Sequence, residues 1–433
     1  MATFDLTLTD EQNKAVRLIE EWLDDPSPNR REFKLGGYAG TGKTTILNVI
    51  KEKMMWWRPK CILCGGSGQI CLHPNEPPVP CGCDSEYIRE CCDSNGVAVV
   101  AFTGKAVSVL RRKGNPNAQT LHSLMYRVVE DFRTHEVTFV KKPLLSLEEQ
   151  DLPVKFVIVD EASMISADLY RDLLSYPKVK ILWVGDPGQL EPVGEDIFLM
   201  RDPDYVLETI HRQAAGSSIL QLAHLVRKGG QFLNQKHHDL VVCKLHEAMP
   251  NILTFNVVIT GFNNVRNSLN KQIRELKGYA HTSTNELLVP GERIIVLRNN
   301  RQRGVFNGQL LDITRVHPTP SFSGASLSIL TVDATSEEGN VYRDLPLFRP
   351  AFEQGGKWDE KRVPLPKQPD FPVLADYGYA LTCHKSQGSE WERVLVIEPS
   401  WWGTKDKVWC DDKRWKYTAI TRTRTHLTYC RGK

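Results

Sequence analysis

The sequence predicts an α/β protein built around open parallel sheets. Three observations carry that prediction. In FKLGGYAGTGKTTILNVI (33–50) an apolar strand end runs through a glycine-rich turn into a helical pattern. KFVIVDEASMI (155–165) and KILWVGDPGQLEPV (180–193) each begin with an unbroken apolar run, as strands buried on both faces do. Farther on, GERIIVLRNNRQRGVFNGQLLDITRV (291–316) is β-rich around the turn pair Asn307-Gly308, which marks a second kind of sheet.

At 433 residues the chain is too long for one ordinary domain, and two to four are expected. With 41% hydrophobic and 25% charged residues its composition is that of a soluble globular protein. MATFDLTLTDEQ lacks the basic start and apolar stretch of a signal peptide. No run approaches the ~18 apolar residues of a membrane span, so no membrane association is expected. A formal net charge of +3 does not by itself point to nucleic acid, but a balanced total can hide basic grooves. The charge run KDKVWCDDKRWK reads as a solvated face.

Gly37 to Thr44 spells G-x-x-x-x-G-K-T in the strand–loop–helix setting that this pattern needs. Glycines let backbone N–H groups close on phosphate oxygens, and the helix start favours the anion. Gly37, Ala39, Gly40, Thr41, Gly42, Lys43, Thr44 and Thr45 are therefore expected around the phosphates of ATP. Lys43 supplies a charge to the β- and γ-phosphates, and the Thr44 hydroxyl is a Mg²⁺ ligand. Asp160 and Glu161 end the next buried strand, where acids face the phosphate crevice. Asp160 is expected to hold Mg²⁺ through water and Glu161 to activate the attacking water, so the pair implies hydrolysis. Gln189 follows the third strand and is placed to reach the γ-phosphate or that water; the alternative is that GDPGQ only forms a turn.

Seven of the eleven cysteines fall between Cys61 and Cys92. Cys61, Cys64, Cys71, His73, Cys81, Cys83, Cys91 and Cys92 offer ligands for one or two tetrahedral structural zinc sites. An iron–sulfur cluster and a disulfide set are the alternatives. The insertion, 58–95, has little apolar material, so metal binding of roughly 10–16 kcal/mol would hold it together. Trp56, Trp57, Arg58 and Lys60 at its base place it either beside a nucleic-acid path or as a passive bulge.

Further segments resemble, in order, the motifs of superfamily 1 helicases of the RecD/Dda-type 1B branch. LTLTDEQNKAV (6–16) resembles the Q-motif region, VVAFTGKAVSVL (99–110) motif Ia and TLHSL (120–124) motif Ib. IHRQ (210–213) resembles motif IV, YALTCHKSQGSEWERVLVI (379–397) motif V and KYTAITRTRTHL (416–427) motif VI. The resemblance implies two RecA-like cores, 1–210 and 211–433. It also implies a hairpin pin at 125–152 and an SH3-like insertion at 287–373. It gives Gln12 to adenine, Arg212 and Arg422 to the γ-phosphate as arginine fingers, and Glu390 to the ribose. Gln387 and Gly388 would couple nucleotide to DNA. Phe102, Thr103, Lys105, Thr120, His122, Thr382, His384 and Ser386 would contact DNA. Phe132, His135 and Phe139 would form the wedge of the pin, unless the hairpin is only structural.

The implied activity is an ATP- and Mg²⁺-dependent helicase moving 5′→3′ on single-stranded DNA and opening forks. It would work as a monomer in a bacterial or phage-infected cytoplasm, with single-stranded-DNA-binding or replication proteins as partners. The alternatives are a DNA-stimulated ATPase that remodels protein–DNA complexes, a nucleotide-gated binding module without turnover, and a motor acting on RNA.

Overall fold

The computed structural model describes residues 8–56 (save 26 and 28), 69–70, 79–80, 97–130, 137–141, 154–192 (save 177 and 178), 199–210, 216–279, 287–318 (save 301), 329–353 (save 338), 372–399 and 412–432. These residues form two six-stranded sheets, one five-stranded sheet and two two-stranded ladders.

The first sheet runs, in spatial order, Tyr205–Leu207, Glu32–Gly37, Lys180–Gly185, Phe156–Asp160, Val97–Ala101 and Gln119–Thr120, all parallel. Its central strands are apolar without alternation because helices cover both faces. The helix Asp10–Asp24 starts at a capping box between Thr9 and Gln12 and turns Ala15, Val16, Ile19, Trp22 and Leu23 into one core. The helix Lys43–Trp56 adds Ile46, Leu47, Ile50 and Met54 to the same core.

The second sheet runs Gln235–Lys236, Leu240–Cys243, Thr423–Cys430, Trp391–Ile397, Val257–Thr260 and Ala380–Thr382, parallel except for its first pair. The helices Ser218–Arg227 and Asp412–Ile420 pack on it and on each other.

The antiparallel sheet runs Val341–Phe348, Ile329–Ser336, Leu310–Val316, Arg293–Val296 and Ala375–Tyr377. Gly308, at φ 82°, makes the turn that Asn307-Gly308 predicts. The insertion was expected to end at 373, but its sheet continues to Tyr377, which pairs with Ile294. The chain changes sheets at Gly378, where a Cβ would fall 2.9 Å from the Ile294 carbonyl carbon. A buried ion pair between Arg266 and Asp376 (2.7 Å) pins that crossing to the helix Asn263–Leu276.

Within the expected pin, Tyr126–Glu130 pairs antiparallel with Val137–Lys141. In the cysteine-rich stretch the described residues are the ladder of Gln69–Ile70 with Val79–Pro80.

Candidate nucleotide and nucleic-acid site

The phosphate-loop residues sit at the end of strand Glu32–Gly37 and the start of helix Lys43–Trp56. Gly40 and Gly42 take φ of 80° and 82°, a region that a side chain resists. Lys43 folds back over the loop, its Nζ donating to the carbonyls of Gly37 (2.6 Å) and Tyr38 (3.2 Å). A Cβ on Gly37 would lie 2.7 Å from Lys43 Cγ, so the loop leaves no room there for another residue. Gln12 is buried, accepts from the Thr9 N–H and donates to the Thr41 carbonyl (3.1 Å), which ties the first helix to the loop. One amide hydrogen and one lone pair of Gln12 remain for a ligand.

Asp160 and Glu161 lie beside Lys43. Burial raises the Asp160 carboxyl above its ordinary range, against the pull of the Glu161 N–H and Lys43. Burial, followed by the Asp160 charge, pushes Glu161 up to about 7, with Arg422 and Lys43 pulling the other way. Glu161 has φ 53°, and its Oε2 is buried with no hydrogen-bond partner among the described residues. Gln189 is also buried, and its Oε1 likewise has none. These acceptors belong at a site that binds polar or charged groups.

Asp186, which the sequence reading did not single out, anchors the third strand end. It accepts from the Gly188 N–H (2.9 Å) and the Tyr417 hydroxyl (2.8 Å), and lies 3.7 Å from Lys43 Nζ. It could have been found as the acid that follows the apolar run KILWVG. Tyr417 had no spacing signal. Its ring fills the space over Gly188, where a Cβ would come within 2.9 Å of it. Its hydroxyl accepts from the Ala39 N–H (2.7 Å). Burial, with the Asp186 charge next, holds that hydroxyl protonated, well above its ordinary pKa.

The second sheet's helices thus grip the loop from the far side. His224 Nε2 lies 3.3 Å from the Ala39 carbonyl, and the Arg227 guanidinium stacks 3.6 Å from the Tyr38 ring centre. Leu190 N–H donates to Thr418 Oγ1 (2.9 Å), and Gln387 Nε2 donates to the Leu190 carbonyl (2.9 Å). Arg422 is buried, holding the carbonyls of Thr418 and Ser389 at 3.1 and 3.3 Å. A phosphate loop on one parallel sheet, clasped by helices from another, is the arrangement the motif order implied.

Comparison with known proteins agrees. Residues 7–243, more than half of the chain, match the family model described as an AAA domain. The chain belongs to this family. Residues 377–429 match the UvrD-like helicase C-terminal domain. The ATP-dependent RecD2 DNA helicase of Deinococcus radiodurans is 26% identical over 70% of this chain and 39% of that protein. The conjugal transfer protein TraA of Rhizobium radiobacter is 23% identical over 97% of the chain and 32% of that protein. The chain therefore spans about two-fifths or less of these relatives' lengths. A structure of two coordinating Pif1 helicases at forked double-stranded DNA superposes with TM-score 0.52 at 17% identity, covering 98% of this chain and 92% of that one. Bacteroides Pif1 with ADP-AlF3 and single-stranded DNA gives 0.51 at 16% identity, with the same coverage. The chain is thus an AAA-domain protein whose C-terminal segment matches a UvrD-like helicase domain, and its fold is shared with the Pif1 structures.

The residues expected to meet a strand lie mostly at helix starts. Thr103 caps the helix Gly104–Arg112, accepting from the Ala106 N–H (3.1 Å), and Thr120 accepts from the Ser123 N–H (3.1 Å). Thr382 begins the turn Cys383–Ser386 with no side-chain cap bond. His122 sits between the rings of Phe102 (6.2 Å) and Tyr126 (6.0 Å). Burial lowers the His384 pKa. Ser386 differs from expectation. It is fully buried and its hydroxyl donates to the Cys383 carbonyl (2.7 Å), because the turn closes over it. Glu390 is exposed and pairs with Arg424 (3.3 Å). Lys105 is buried, with its ammonium on Glu337 (2.6 Å).

Arg212, Phe132, His135, Cys61, Cys64, Cys71, His73, Cys81, Cys83, Cys91 and Cys92 lie outside the described residues. Phe139 is described only through its backbone, opposite Val128. Among the described residues, Cys243, Cys383 and Cys430 are buried thiols outside any disulfide, and no helix is long and apolar enough to cross a membrane.

Proposed function

We propose that the chain is an ATP- and Mg²⁺-dependent DNA helicase that moves 5′→3′ along single-stranded DNA and opens forks. The observation that carries this is the Ala39 peptide. Its N–H and C=O are both held by the second core, through Tyr417 and His224, so closure of the cores is tied to the phosphate loop. Lys43 and the loop N–H groups bind the β- and γ-phosphates, and Gln12 contacts the base. Thr44 and Asp160 suit Mg²⁺, whose charge would offset that of the phosphate oxygens; the two buried carboxyls beside Lys43 fit such a cation. Glu161 accepts the proton of the attacking water, with Gln189 orienting it and Arg422 and Arg212 facing the developing charge.

Polarity rests on the resemblance to the 1B branch, and structural neighbours described at forked DNA and in complex with single-stranded DNA support the substrate class. The pin is assigned the wedge role, and the cysteine-rich insertion structural zinc, on sequence alone. Forked duplexes carrying either a 5′ or a 3′ tail test the reading. Unwinding should require the 5′ tail, ATP and Mg²⁺. Strand-stimulated hydrolysis without unwinding would instead favour a remodelling ATPase. Metal analysis of the same preparation should give one or two zinc per chain, and stoichiometric iron would replace that assignment.

A further inference from the structure

Lys105 belongs to the first core, Trp391 to the second sheet, and Glu337 and Arg293 to the antiparallel sheet; the four meet at one carboxylate. Glu337 Oε2 accepts from Lys105 Nζ at 2.6 Å and Oε1 accepts from Trp391 Nε1 at 3.0 Å. Arg293 Nη1 stands 4.0 Å from Oε1 and also donates to the Asn256 carbonyl (3.2 Å), with the guanidinium held in place by Asp312 at 2.7 and 2.9 Å. The Lys105 ammonium also lies 4.6 Å from the Trp391 ring centre, so the two donors are ordered against each other as well as by Glu337.

Lysine, arginine and indole offer only donors. Two donors bonded to the two oxygens of a single anion, with a guanidinium 4.0 Å away, also match the oxygens of a phosphodiester. The burial is uneven. The Lys105 side chain is 7% exposed and the Glu337 side chain 26%, so the anion is the solvent-facing member. Glu337 directly follows strand Ile329–Ser336, in the turn before Val341–Phe348, with Gly339 at φ 85°. A carboxylate there can be displaced by rotation of its side chain, with both strands left paired. The sheet that carries it is seated on the same helix start, where a Cβ on Gly104 would meet Phe306 at 2.5 Å.

We propose that Lys105, the Trp391 indole N–H and the Arg293 guanidinium form a binding site for one backbone phosphate of a nucleic-acid strand, and that Glu337 fills it as an internal stand-in until the strand displaces it. The inference rests on the reading of the chain as a nucleic-acid motor and adds two residues to those expected at the strand, Arg293 and Trp391, the latter within the motif V segment. It also explains why an ammonium expected to meet DNA is buried against a carboxylate. The strand must replace that carboxylate, so affinity is set by a competition between two anions.

The test is equilibrium binding of a fluorescent oligo-dT to the full chain over a range of salt concentrations. Glu337→Gln keeps the shape and one acceptor but removes the charge. It should bind the strand roughly 3- to 10-fold tighter, the free-energy scale of one partly buried ion pair. Lys105→Ala should bind more weakly, with a log–log salt slope shallower by about 0.7. Trp391→Phe, which keeps a ring and loses the N–H, should also bind more weakly. The gain from Glu337→Gln should vanish in the Lys105→Ala background. If Lys105→Ala weakens binding and neither Glu337→Gln nor Glu337→Ala tightens it, Glu337 is a strut between domains and the proposal is overturned. If Lys105→Ala leaves binding unchanged, the phosphate site itself is refuted. If the wild-type chain does not bind oligo-dT at all, the motor reading fails first.

Discussion

At the nucleotide end, Glu161 Oε2 and Gln189 Oε1 are buried with no hydrogen-bond partner among the described residues. On the proposed strand side, Thr103 and Thr120 hydroxyls cap helices and Lys105 is paired with Glu337. The two proposed sites thus hold their polar groups in opposite ways. A buried acceptor without a partner costs about 1–3 kcal/mol, and a ligand arriving there recovers it. A capped helix start costs nothing to hold, and what it presents to a strand is backbone N–H rather than side chain. Side chains at the nucleotide end should therefore be irreplaceable. Those on the strand side should be replaceable wherever the cap survives.

The largest effect tests the first half. Lys43→Ala removes the charge set over the loop, and Glu161→Gln removes the base. Each should lower ATP turnover by about 10²–10⁴-fold, while Glu161→Gln still binds nucleotide in a fluorescent-analogue titration. Near wild-type hydrolysis by Glu161→Gln would remove it as the base.

The contrast between the two ends also decides what could be read from sequence. The phosphate loop, Asp160 and Glu161 act singly at fixed spacings along local strand–turn–helix units, so the motif positions them. The antiparallel sheet was legible from Asn307-Gly308 and its β-rich runs, but its end was not. Ala375–Tyr377 and Ala380–Thr382 are only two residues apart, and it is pairing with two different sheets that separates them. Tyr417 and Glu337 were invisible for the same reason, since their partners lie 378 and 232 residues away in the chain. The threonines were read as strand contacts; that Thr103 and Thr120 also cap helices depends on where a helix begins.

The next effect sharpens the account of the nucleotide end. Tyr417→Phe keeps the ring over Gly188 but loses the bonds to Ala39 N–H and Asp186. Two such bonds, one to a carboxylate, support about a tenfold fall in strand-stimulated turnover. Steady-state rates with and without oligo-dT should show the fall chiefly in the stimulated rate. An equal fall in both would make Tyr417 a packing residue.

A smaller effect concerns pH in Mg²⁺-free protein. Glu161 binds its proton more tightly in the fold than at its ordinary value of 4.5, up to about 7. Its contribution to stability is therefore fully present below pH 4.5 and is lost as pH rises to about 7. Glu161→Gln cannot ionise, so it should melt a few degrees above wild type at pH 8 (~2–4 °C per kcal/mol in domains of ordinary size) and gain little at pH 4.5. Melting curves in chelator that show the same gap at both pH values would mean that the carboxyl is not held protonated by burial.

The smallest effect tests the strand side. Thr103 lies outside the helix it starts, with φ −103° and ψ 150°, and its Oγ1 takes the Ala106 N–H. Losing that acceptor leaves a helix-start donor unsatisfied in a part-buried place, which costs about 1 kcal/mol. Thr103→Ala should therefore lower the melting temperature modestly and weaken oligo-dT binding only through a frayed helix start. Thr103→Ser restores the oxygen without the methyl and should recover both. That recovery separates a cap from a direct side-chain contact only if stability and binding move together. The quantity to plot is thus binding loss against melting loss for Ala, Ser and Asp at this position. Asp caps as well as Ser does but sets a negative charge beside the strand. If Asp keeps stability yet loses binding far more than Ala, the hydroxyl faces the phosphates directly, and the contrast between the two ends narrows at this residue.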